Sequence, residues 1–382
     1  MINFDFKNEC YSCSACSYIC PKDAIKFNEK LLPYVDLKRC INCGLCEQTC
    51  IKMSEIEYHQ ELCKDAVGFI CKNLNDNERR MSSSGGLFIL LAKQTLKNGG
   101  YVCGCVYDDD FLPKHILTNE FIQVQKMMGS KYVKSDMLTC IREIEDICRS
   151  GKPVLFTGVP CQCAAVKKCL GKYKELTIVN IVCHGSIDRE FWNNYLDTER
   201  KYGEIAGVTM RDKSKGWENY GLRINYLNGL QRTTFRNDDG YFLRCFTEGL
   251  FQRERCLHCN IKGTSIVGDL LLGDGWGMEE LFPEFCDTLG VSSVIALTQK
   301  GIDMVKEIQD SILCKPINVS QIIEKNRRIV SPANDTPYRK IFQRRCSRNP
   351  QKINQICFEY AKPSVLKRIV NKMYQLCINK AK

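Results

Sequence analysis

The sequence of 382 residues contains no long apolar run. No stretch approaches the ~18 consecutive apolar residues that a membrane-spanning helix needs, so we expect no transmembrane segment. The first ten residues, MINFDFKNEC, carry acidic side chains and lack the apolar stretch of a secretory signal peptide. Both absences predict a soluble, cytoplasmic protein, a setting in which thiols stay reduced and can bind metals.

Cysteine, by contrast, is abundant, with 26 residues. A chain of this length can form two or three domains with substantial apolar cores, so it does not need disulfides to stabilise a small interior. The cysteine content therefore indicates a chemical role.

Eight of these cysteines lie in the first fifty residues, in two copies of the spacing C-x2-C-x2-C-x3-C. The repeat resembles a 2[4Fe-4S] ferredoxin module, in which three cysteines of one copy and the last cysteine of the other bind each cluster. On that pattern one cluster is bound by Cys10, Cys13, Cys16 and Cys50. The other is bound by Cys40, Cys43, Cys46 and Cys20.

The region between the two copies also suits such a module. The segments AIKF and PYVDL predict two short strands that flank a turn. Ile51 stands where the second copy would usually have a proline, which affects the local turn more than the ligation. The alternative is zinc, which favours two separated C-x2-C pairs, and the observed spacing fits that arrangement poorly.

A serine- and glycine-rich segment, SSSGG (82–86), precedes an apolar run with helical spacing, and Gly99-Gly100 follow that run as a C-terminal cap would. Free backbone N–H groups at such a helix start suit an anion, above all a phosphate. A plain N-cap explains the serines equally well.

After residue 100 candidate strands alternate with candidate helices. The strands are YVCGCVY, PVLFTGV, LTIVNIVC and later GDLLLGDGWG, and the helices are MLTCIREIEDICRSG and CQCAAVKKCLGKY. This alternation predicts a mixed, largely parallel α/β domain. Ligands of such sheets lie at the carboxyl ends of the strands.

Four further cysteines suggest a metal site in this domain. Cys161 and Cys183 follow two buried strands, and Cys256 and Cys259 form a C-x2-C pair. Four thiolates suffice for a third [4Fe-4S] cluster or for zinc, and a single buried cysteine commonly only packs. The spacing alone leaves these alternatives open.

Several short motifs follow the two-cluster module in a fixed order: SSSGG, GSKYV, FTGVPCQ, CHG, RDKSKGW, RCLHCNIKG and GDLLLGDGWG. This order resembles that of the coenzyme F420 hydrogenase/dehydrogenase beta-subunit family, over about residues 1–330. Members of this family bind FAD beside a [4Fe-4S] cluster. The resemblance implies that this third cluster is held by Cys161, Cys183, Cys256 and Cys259, with Cys163 as a bystander.

The same resemblance implies that two loops contact FAD. Their residues are Ser83, Ser84, Gly85 and Gly86 in one loop, and Gly129, Ser130, Lys131 and Tyr132 in the other. The first loop would offer N–H groups to the pyrophosphate, and Lys131 would offer a cation. Lys131 could equally be one more solvated lysine.

The sequence does not identify a catalytic residue. His184, beside Cys183, could donate a proton, or it could only hydrogen-bond to sulfur and tune the potential of a cluster. Asp274 could cap a turn as readily as take part in catalysis. Trp217 and Trp276 could form walls of a flavin pocket or pack in the core.

An acceptor would approach beside the segments RDKSKGW (211–217) and GDGWG (273–277). There Arg211 and Lys213 would favour an anionic acceptor, because fixed positive charge raises the local concentration of anions. The competing account makes Arg211 an ordinary surface or structural arginine.

We expect three parts: a ferredoxin-type domain at 1–60, an FAD/[4Fe-4S] domain at 75–315, and a basic, mostly helical region at 316–382. From Lys315 onward the chain has sixteen lysines and arginines against three acidic residues. This region could bind an acidic partner, an anionic membrane surface or an acidic substrate, or be a solvated helical appendage. No recognition motif accompanies its charge, so we do not expect nucleic acid binding.

These parts predict an iron-sulfur flavoprotein oxidoreductase. Electrons would pass between three [4Fe-4S] clusters and FAD to reduce or oxidise an organic substrate or a deazaflavin coenzyme. The expected partners are reduced ferredoxin or another redox protein and a small organic substrate, for which an anion is one option, and a homo-oligomer is compatible with the sequence. The alternatives are a non-catalytic electron-transfer subunit of a larger redox complex and, less well matched to the spacing, a zinc scaffold.

Overall fold

The computed structural model of the protein describes residues 5–53, 65–263 and 266–361. The first segment forms a small module. It contains helices α1 (Phe6–Glu9), α2 (Ala15–Ile19) and α3 (Leu45–Thr49), and the antiparallel strand pair β1 (Ile25–Phe27) and β2 (Pro33–Val35). The two short strands agree with those expected between the cysteine repeats.

The two cysteine repeats adopt the same backbone path. Ser14 precedes α2 and Gly44 precedes α3, and both have the left-handed conformation, with φ of 64° and 76°. Ser12 and Asn42 also have positive φ at equivalent positions. Each loop therefore curls in the same way around the thiols of its own repeat.

The rest of the described chain combines a large sheet with a small one. In chain order the strands are β3 (Val67–Asn73), β4 (Tyr101–Tyr107), β5 (Pro113–Thr118), β6 (Val154–Gly158), β7 (Leu176–Ile181), β8 (Ile205–Asp212), β9 (Gly221–Tyr226), β10 (Gln231–Phe235), β11 (Leu270–Asp274), β12 (Ser292–Ala296) and β13 (Ile312–Ile317). The large sheet has the order β13-β3-β12-β11-β7-β6-β4-β5, and the small one β10-β9-β8.

The large sheet confirms the predicted α/β class. Its central strands β4, β6, β7 and β11 run parallel, and antiparallel neighbours extend the sheet at both edges. The parallel strands are buried runs such as VLFTG in β6, as expected for strands covered on both faces.

Helices pack on both faces of the large sheet and around the small sheet. In chain order they are α4 (Asp76–Met81), α5 (Leu87–Lys97), α6 (Phe121–Met127), α7 (Cys140–Arg149), α8 (Pro160–Leu170), α9 (Arg189–Glu199), α10 (Tyr241–Thr247), α11 (Glu254–Leu257), α12 (Gln299–Glu307), α13 (Val319–Lys325), α14 (Arg339–Arg348) and α15 (Ile353–Ala361). Apolar residues of α5, α6 and α12 form one core with the sheet, and those of α7 and α8 form another. Consecutive residues Leu155 and Phe156 of β6 enter these two different cores, since side chains alternate along a strand.

Strand β3 belongs to the large sheet although it precedes residue 75, the expected start of the FAD/[4Fe-4S] domain, which is called the main domain below. It pairs with β12 and with β13, and β13 itself crosses the expected boundary at 316. Residues 54–60 of the expected first domain lie outside the described residues. The large sheet therefore extends past both expected boundaries.

The C-terminal helices differ from the expected solvated appendage. Phe342 and Cys346 of α14 and Cys357 of α15 are fully buried in one core with the small sheet and with helices α9 and α10. Their apolar faces close this core, which requires contacts across more than 100 residues of sequence. Residues 362–382 of the expected basic region lie outside the described residues. None of the described helices has the length and apolar character needed to cross a membrane.

Candidate cofactor and electron-transfer site

The structure brings the first predicted ligand group together. Burial raises the pKa of the Cys13 thiol, and the nearby thiolates of Cys16, Cys10 and Cys50 raise it further. Cys50 acts in the same direction on the pKa of Cys10 and of Cys16. Three cysteines of the first repeat thus lie close to the last cysteine of the second, as the ferredoxin pattern requires.

The second predicted group surrounds a small cavity of its own. That cavity is bordered by Cys20, Cys40, Cys43 and Cys46. Cys43 is exposed, whereas the other three are partly buried. Backbone N–H groups point at sulfur in both groups, from Ser12 to Cys10 Sγ at 3.2 Å and from Ala24 to Cys20 Sγ at 3.3 Å. Such hydrogen bonds stabilise thiolate ligands and tune the potential of a cluster.

A large cavity of about 860 Å³ lies in the main domain. Its walls include Gly158, Val182 and Asp274, which lie at or just after the carboxyl ends of β6, β7 and β11. This is the edge at which ligands bind in parallel α/β sheets. The volume is within the usual range of cofactor and ligand sites.

The four cysteines assigned to a third cluster all line this cavity. They are Cys161, Cys183, Cys256 and Cys259. Cys161 lies in the first turn of α8 and Cys183 follows β7. Burial and the neighbouring thiolates of the other three raise the pKa of Cys259 to about 12. The thiols are therefore close enough to interact, although they come from three separate segments.

Cys163 has a different environment. Its thiol donates to the Gly158 carbonyl at 3.3 Å and to the Val179 carbonyl at 3.7 Å, and the side chain is completely buried in the core between α8 and the sheet. It does not line the cavity.

Within the described residues, no group of three or more His, Cys, Asp or Glu side chains is arranged to hold a single metal ion. A [4Fe-4S] cluster requires a wider arrangement of ligands than a single metal ion, because each of four thiolates binds its own iron atom. The donor set of four half-buried thiols, with the Gly185 N–H directed at Cys183 Sγ at 3.3 Å, fits such a cluster.

The two loops that the family resemblance assigned to FAD meet at the cavity. The Ser83 and Ser130 hydroxyl oxygens lie 2.7 Å apart. Gly86, with φ of 81°, precedes α5, and no side chain caps this helix start. Helix starts of this kind expose N–H groups that bind anions, and here Ser83, Gly86 and Leu87 all line the cavity.

Gly85 serves the packing of this turn. A Cβ atom at this position would lie 2.5 Å from the Cys71 carbonyl oxygen and 2.6 Å from the Ser292 nitrogen, so no side chain fits between the turn and the sheet. Gly85 is also not among the residues that line the cavity. It holds the turn in place, while its neighbours Ser84 and Gly86 face the site.

Lys131 and Tyr132 form part of the cavity wall. The Lys131 ammonium donates to the carbonyls of Met127, Met128 and Gly129 at 3.2–3.4 Å, at the C-terminal end of α6. Burial lowers its pKa. Its cation therefore compensates a helix end as well as adding positive charge to the cavity. The Tyr132 ring stacks on Phe246 at a centroid distance of 4.6 Å.

Arg211 and Asp274 form a buried ion pair. Two guanidinium nitrogens of Arg211 donate to the two carboxylate oxygens of Asp274, each at 3.1 Å, and one also donates to the Ser83 carbonyl at 2.8 Å. Arg211 is only 4% exposed. The pair thus fixes the Ser83 turn to the end of β11.

Lys213 likewise makes structural contacts with the backbone. Its ammonium donates to the carbonyls of Ser84 at 3.1 Å and Leu289 at 2.7 Å, and burial together with nearby Arg211 lowers its pKa to about 7. The expectation that Arg211 and Lys213 offer free positive charge to an acceptor therefore does not hold. The competing, structural account of Arg211 agrees with its contacts.

His184 lines the cavity beside Cys183 but is held by the backbone. Its Nε2 lies 2.8 Å from the Thr247 carbonyl oxygen and donates to it. Burial lowers the pKa of the imidazole to about 4, so it is neutral at pH 7. Trp217 and Trp276 stack at 4.1 Å, with Trp276 on the cavity wall and Trp217 buried behind it.

Sequence reasoning missed two cavity residues, Lys134 and His115. Lys134 is 5% exposed, and within the described chain neither its Nζ nor the Nδ1 of His115 has a hydrogen-bond partner. Lys134 directly follows the GSKYV motif, which is the signal that could have identified it. Buried polar atoms without partners cost free energy unless a bound group satisfies them, so the Lys134 donor and the His115 acceptor on this wall fit a bound polar ligand.

Positive charge dominates the cavity. Among the described residues that line it, Asp274 is the one carboxylate. The cationic residues are Lys131, Lys134, Arg211, Arg236, Arg253, Arg255, Lys262, Lys325, Arg327 and Arg328. Such a lining favours polyanions such as a pyrophosphate, and it also balances the negative charge of cluster thiolates.

The N-terminal module packs directly against this site. Arg253 donates to Ser12 Oγ at 2.8 Å, and the Asn260 N–H donates to the Tyr11 hydroxyl at 3.2 Å. Cys13 belongs to the same apolar cluster as Cys161 and Cys259. The first ligand group of the module therefore lies next to the third group, in the main domain.

One protein-family model matches part of the main domain. Residues 151–320 match the family model for the C terminus of the coenzyme F420 hydrogenase/dehydrogenase beta subunit. This part of the chain is thus similar to the C-terminal region of that beta subunit. The match includes both strand-end cysteines and the later C-x2-C pair.

A solved structure is also similar to this chain. It is a chain of the F420-reducing [NiFe] hydrogenase complex from Methanosarcina barkeri, with 18% sequence identity and a TM-score of 0.48. The similarity covers 81% of this chain and 95% of that chain. The comparison with curated proteins finds no match.

Proposed function

We propose that this chain is an iron-sulfur flavoprotein oxidoreductase that passes electrons between ferredoxin-type clusters and FAD and so reduces or oxidises an organic substrate or a deazaflavin coenzyme. One observation carries the proposal. The thiols of Cys161, Cys183, Cys256 and Cys259 line the same cavity as the Ser83 and Ser130 loops. A cluster and a flavin would thus share one chamber.

The start of α5 would hold the pyrophosphate of FAD. In the described chain, no protein acceptor faces the backbone N–H groups of Ser83, Ser84 or Gly86, and no side chain caps the helix. The Nζ of Lys134 adds a buried donor without a partner. When bound, a flavin supplies the exchange of single electrons with clusters and of a hydride with organic molecules.

The N-terminal module suits electron entry from another protein. Cys43 of its second ligand group is exposed, and Leu37 and Ile41 beside it are 70% and 58% exposed. The first group, around Cys13, faces the main domain. The module therefore offers one ligand group to the surface and one to the cavity, as expected for transfer from reduced ferredoxin or another redox protein.

Three arginines are better placed than Arg211 to attract an anionic acceptor. Arg327 is exposed, Arg236 contacts the ring of Tyr220, and Arg328 donates to the Pro332 carbonyl. Among the described residues, none of the three forms an ion pair with a carboxylate. Both Arg236 and Arg328 lie close enough to His184 to lower its pKa. Their charge is thus available at the end of the cavity near Cys183.

Anaerobic purification, followed by a visible spectrum, an iron and sulfide analysis and release of bound flavin, tests the proposal. We expect about twelve irons per chain, for three [4Fe-4S] clusters, and one FAD. Addition of a chemically reduced ferredoxin should bleach the flavin absorbance through the clusters. A colourless protein that carries zinc, or an iron-sulfur protein without any flavin site, would exclude this function.

A further inference from the structure

Two cysteines outside the predicted cluster sites lie opposite each other on the edge strand of the large sheet and its neighbouring strand. Cys71 of β3 is directly opposite Cys314 of β13. Their sulfur atoms lie 2.9 Å apart. Neither residue lines the cavity or borders the smaller one.

The strand register favours a bond between them. The Leu74 N–H donates to the Ser311 carbonyl at 3.0 Å, so that opposed pair is hydrogen-bonded. Hydrogen-bonded and non-hydrogen-bonded pairs alternate along antiparallel strands, which makes Cys71 and Cys314 a non-hydrogen-bonded pair. The Cα atoms of such pairs are about 4.5 Å apart, within the range that a disulfide spans.

The two thiols differ in access and reactivity. Cys314 is exposed, whereas Cys71 is completely buried. The hydrogen bond from Cys71 lowers the pKa of Cys314, and the same bond, together with burial, raises the pKa of Cys71. Thiolate attack on a disulfide requires an accessible sulfur, so Cys314 is the residue that an oxidant meets first.

We propose that Cys71 and Cys314 form a reversible dithiol–disulfide site that low-molecular-weight disulfides oxidise. The Cys314 thiolate attacks one sulfur of the small disulfide, forms a mixed disulfide and releases one small thiol. The Cys71 sulfur then attacks the Cys314 sulfur and releases the second small thiol. The two protein thiols lose two electrons and two protons, and the small disulfide takes up both as two thiols.

The site lies behind the turn that faces the cavity. The Asn73 N–H, two residues beyond Cys71, donates to the Gly85 carbonyl at 2.8 Å, and the Cys71 carbonyl closely approaches Gly85. A disulfide would join β3, which holds this turn, to the edge strand β13. The proposal itself does not depend on the identity of any cofactor in the cavity.

Thiol trapping on the full chain tests this site. The anaerobically purified protein is incubated with glutathione disulfide, quenched with an alkylating agent and digested for mass spectrometry. We expect a cross-linked peptide pair containing Cys71 and Cys314, which dithiothreitol returns to two free thiols. Iron analysis before and after incubation shows whether the clusters stayed intact.

Variants separate the two steps. In Cys71→Ser, Cys314 should accumulate as a mixed disulfide with glutathione, because the second attack is lost. In Cys314→Ser, Cys71 should remain unmodified until the protein unfolds. Cys103 and Cys140, which interact inside the core and are both completely buried, provide a matched control that should not react.

The measurement on the wild-type chain tests the proposed disulfide even if a variant fails to fold. Recovery of Cys71 and Cys314 as two separately alkylated thiols at equilibrium with excess glutathione disulfide would overturn the proposal. So would a wild-type chain in which Cys314 carries only glutathione.

Discussion

Ser83 and Ser130 are 47 positions apart in the sequence, yet their hydroxyl oxygens lie 2.7 Å apart. The contact joins the turn before α5 to the loop after α6, so two motifs that are separate in the chain form one wall of the cavity. Arg211 strengthens this wall by donating to the Ser83 carbonyl at 2.8 Å. The cofactor site is therefore assembled from the starts and ends of elements that the sheet brings together.

Replacing Gly86 with alanine should weaken FAD binding. Gly86 has φ of 81°, and a Cβ there would lie 3.2 Å from the Asn73 Cβ. A left-handed alanine costs about 1–2 kcal/mol, and relief of that strain would move the helix start, for a loss of affinity of roughly 5- to 30-fold. The dissociation constant for FAD measures the effect. Gly99→Ala is the control, since Gly99 has φ of 72° with open space at the other end of α5; equal losses would place FAD elsewhere.

Cys161→Ser should remove the third cluster, and Cys163→Ser should not. Cys161 lines the cavity, whereas Cys163 donates to two backbone carbonyls inside the core. We expect the first variant to lose about four irons per chain and the second to keep the wild-type iron content. Iron and sulfide analysis of matched preparations decides between them. Equal iron loss in both variants would show that Cys163 is the ligand.

Cys13→Ser should remove one cluster of the N-terminal module while FAD stays bound. Cys13 packs against Cys161 and Cys259 but does not line the large cavity. The variant should lose about four irons and the ability to accept electrons from reduced ferredoxin, because the path from Cys43 to the main domain is interrupted. Flavin content and stopped-flow reduction provide the two readouts. Loss of FAD together with these irons would contradict the separation of the two sites.

Arg211→Ala should destabilise the fold. Breaking a buried ion pair leaves the partner charge uncompensated, at a cost of about 3–5 kcal/mol, here with Asp274 as the partner. The free energy of unfolding, measured in denaturant, should fall by that amount. Arg200→Ala, which removes an exposed pair with Asp197, should cost about 1 kcal/mol or less. A fully stable Arg211→Ala protein with a salt-dependent Michaelis constant would instead restore Arg211 as a contact for an anionic acceptor.

Stability should decrease below pH 6.5, in part because of His115. Burial lowers the pKa of this imidazole to about 4 from its ordinary value of 6.5. Between these values the unfolded chain binds a proton that the folded chain does not, so stability is lost as the pH falls from 6.5 towards 4, by about 1.4 kcal/mol per pH unit. Melting temperatures of wild type and His115→Gln from pH 7.5 to 5 test this. Parallel pH profiles would show that His115 does not contribute.

The sequence by itself determined the features that depend on neighbours along the chain. The cysteine spacing predicted that the three closely spaced thiols of each repeat lie together, because each loop curls locally around them. Alternating apolar runs located β4, β6 and β7 and the helices α7 and α8 almost to their ends, since burial on both faces of a parallel strand imposes a continuous apolar sequence. The SSSGG turn was visible for the same reason, as a local signal for a helix start.

Only the tertiary structure decided the roles of residues whose partners are distant in sequence. Arg211 resembles a solvent-exposed arginine until Asp274, 63 positions away, is seen to pair with it. Lys134 resembles a surface lysine until its burial is known, and β3 resembles a linker until β12 and β13 flank it. Burial and charge pairing depend on long-range packing. Local sequence patterns do not indicate which distant side chain will provide the opposite charge, or which distant strand will pair with a given strand.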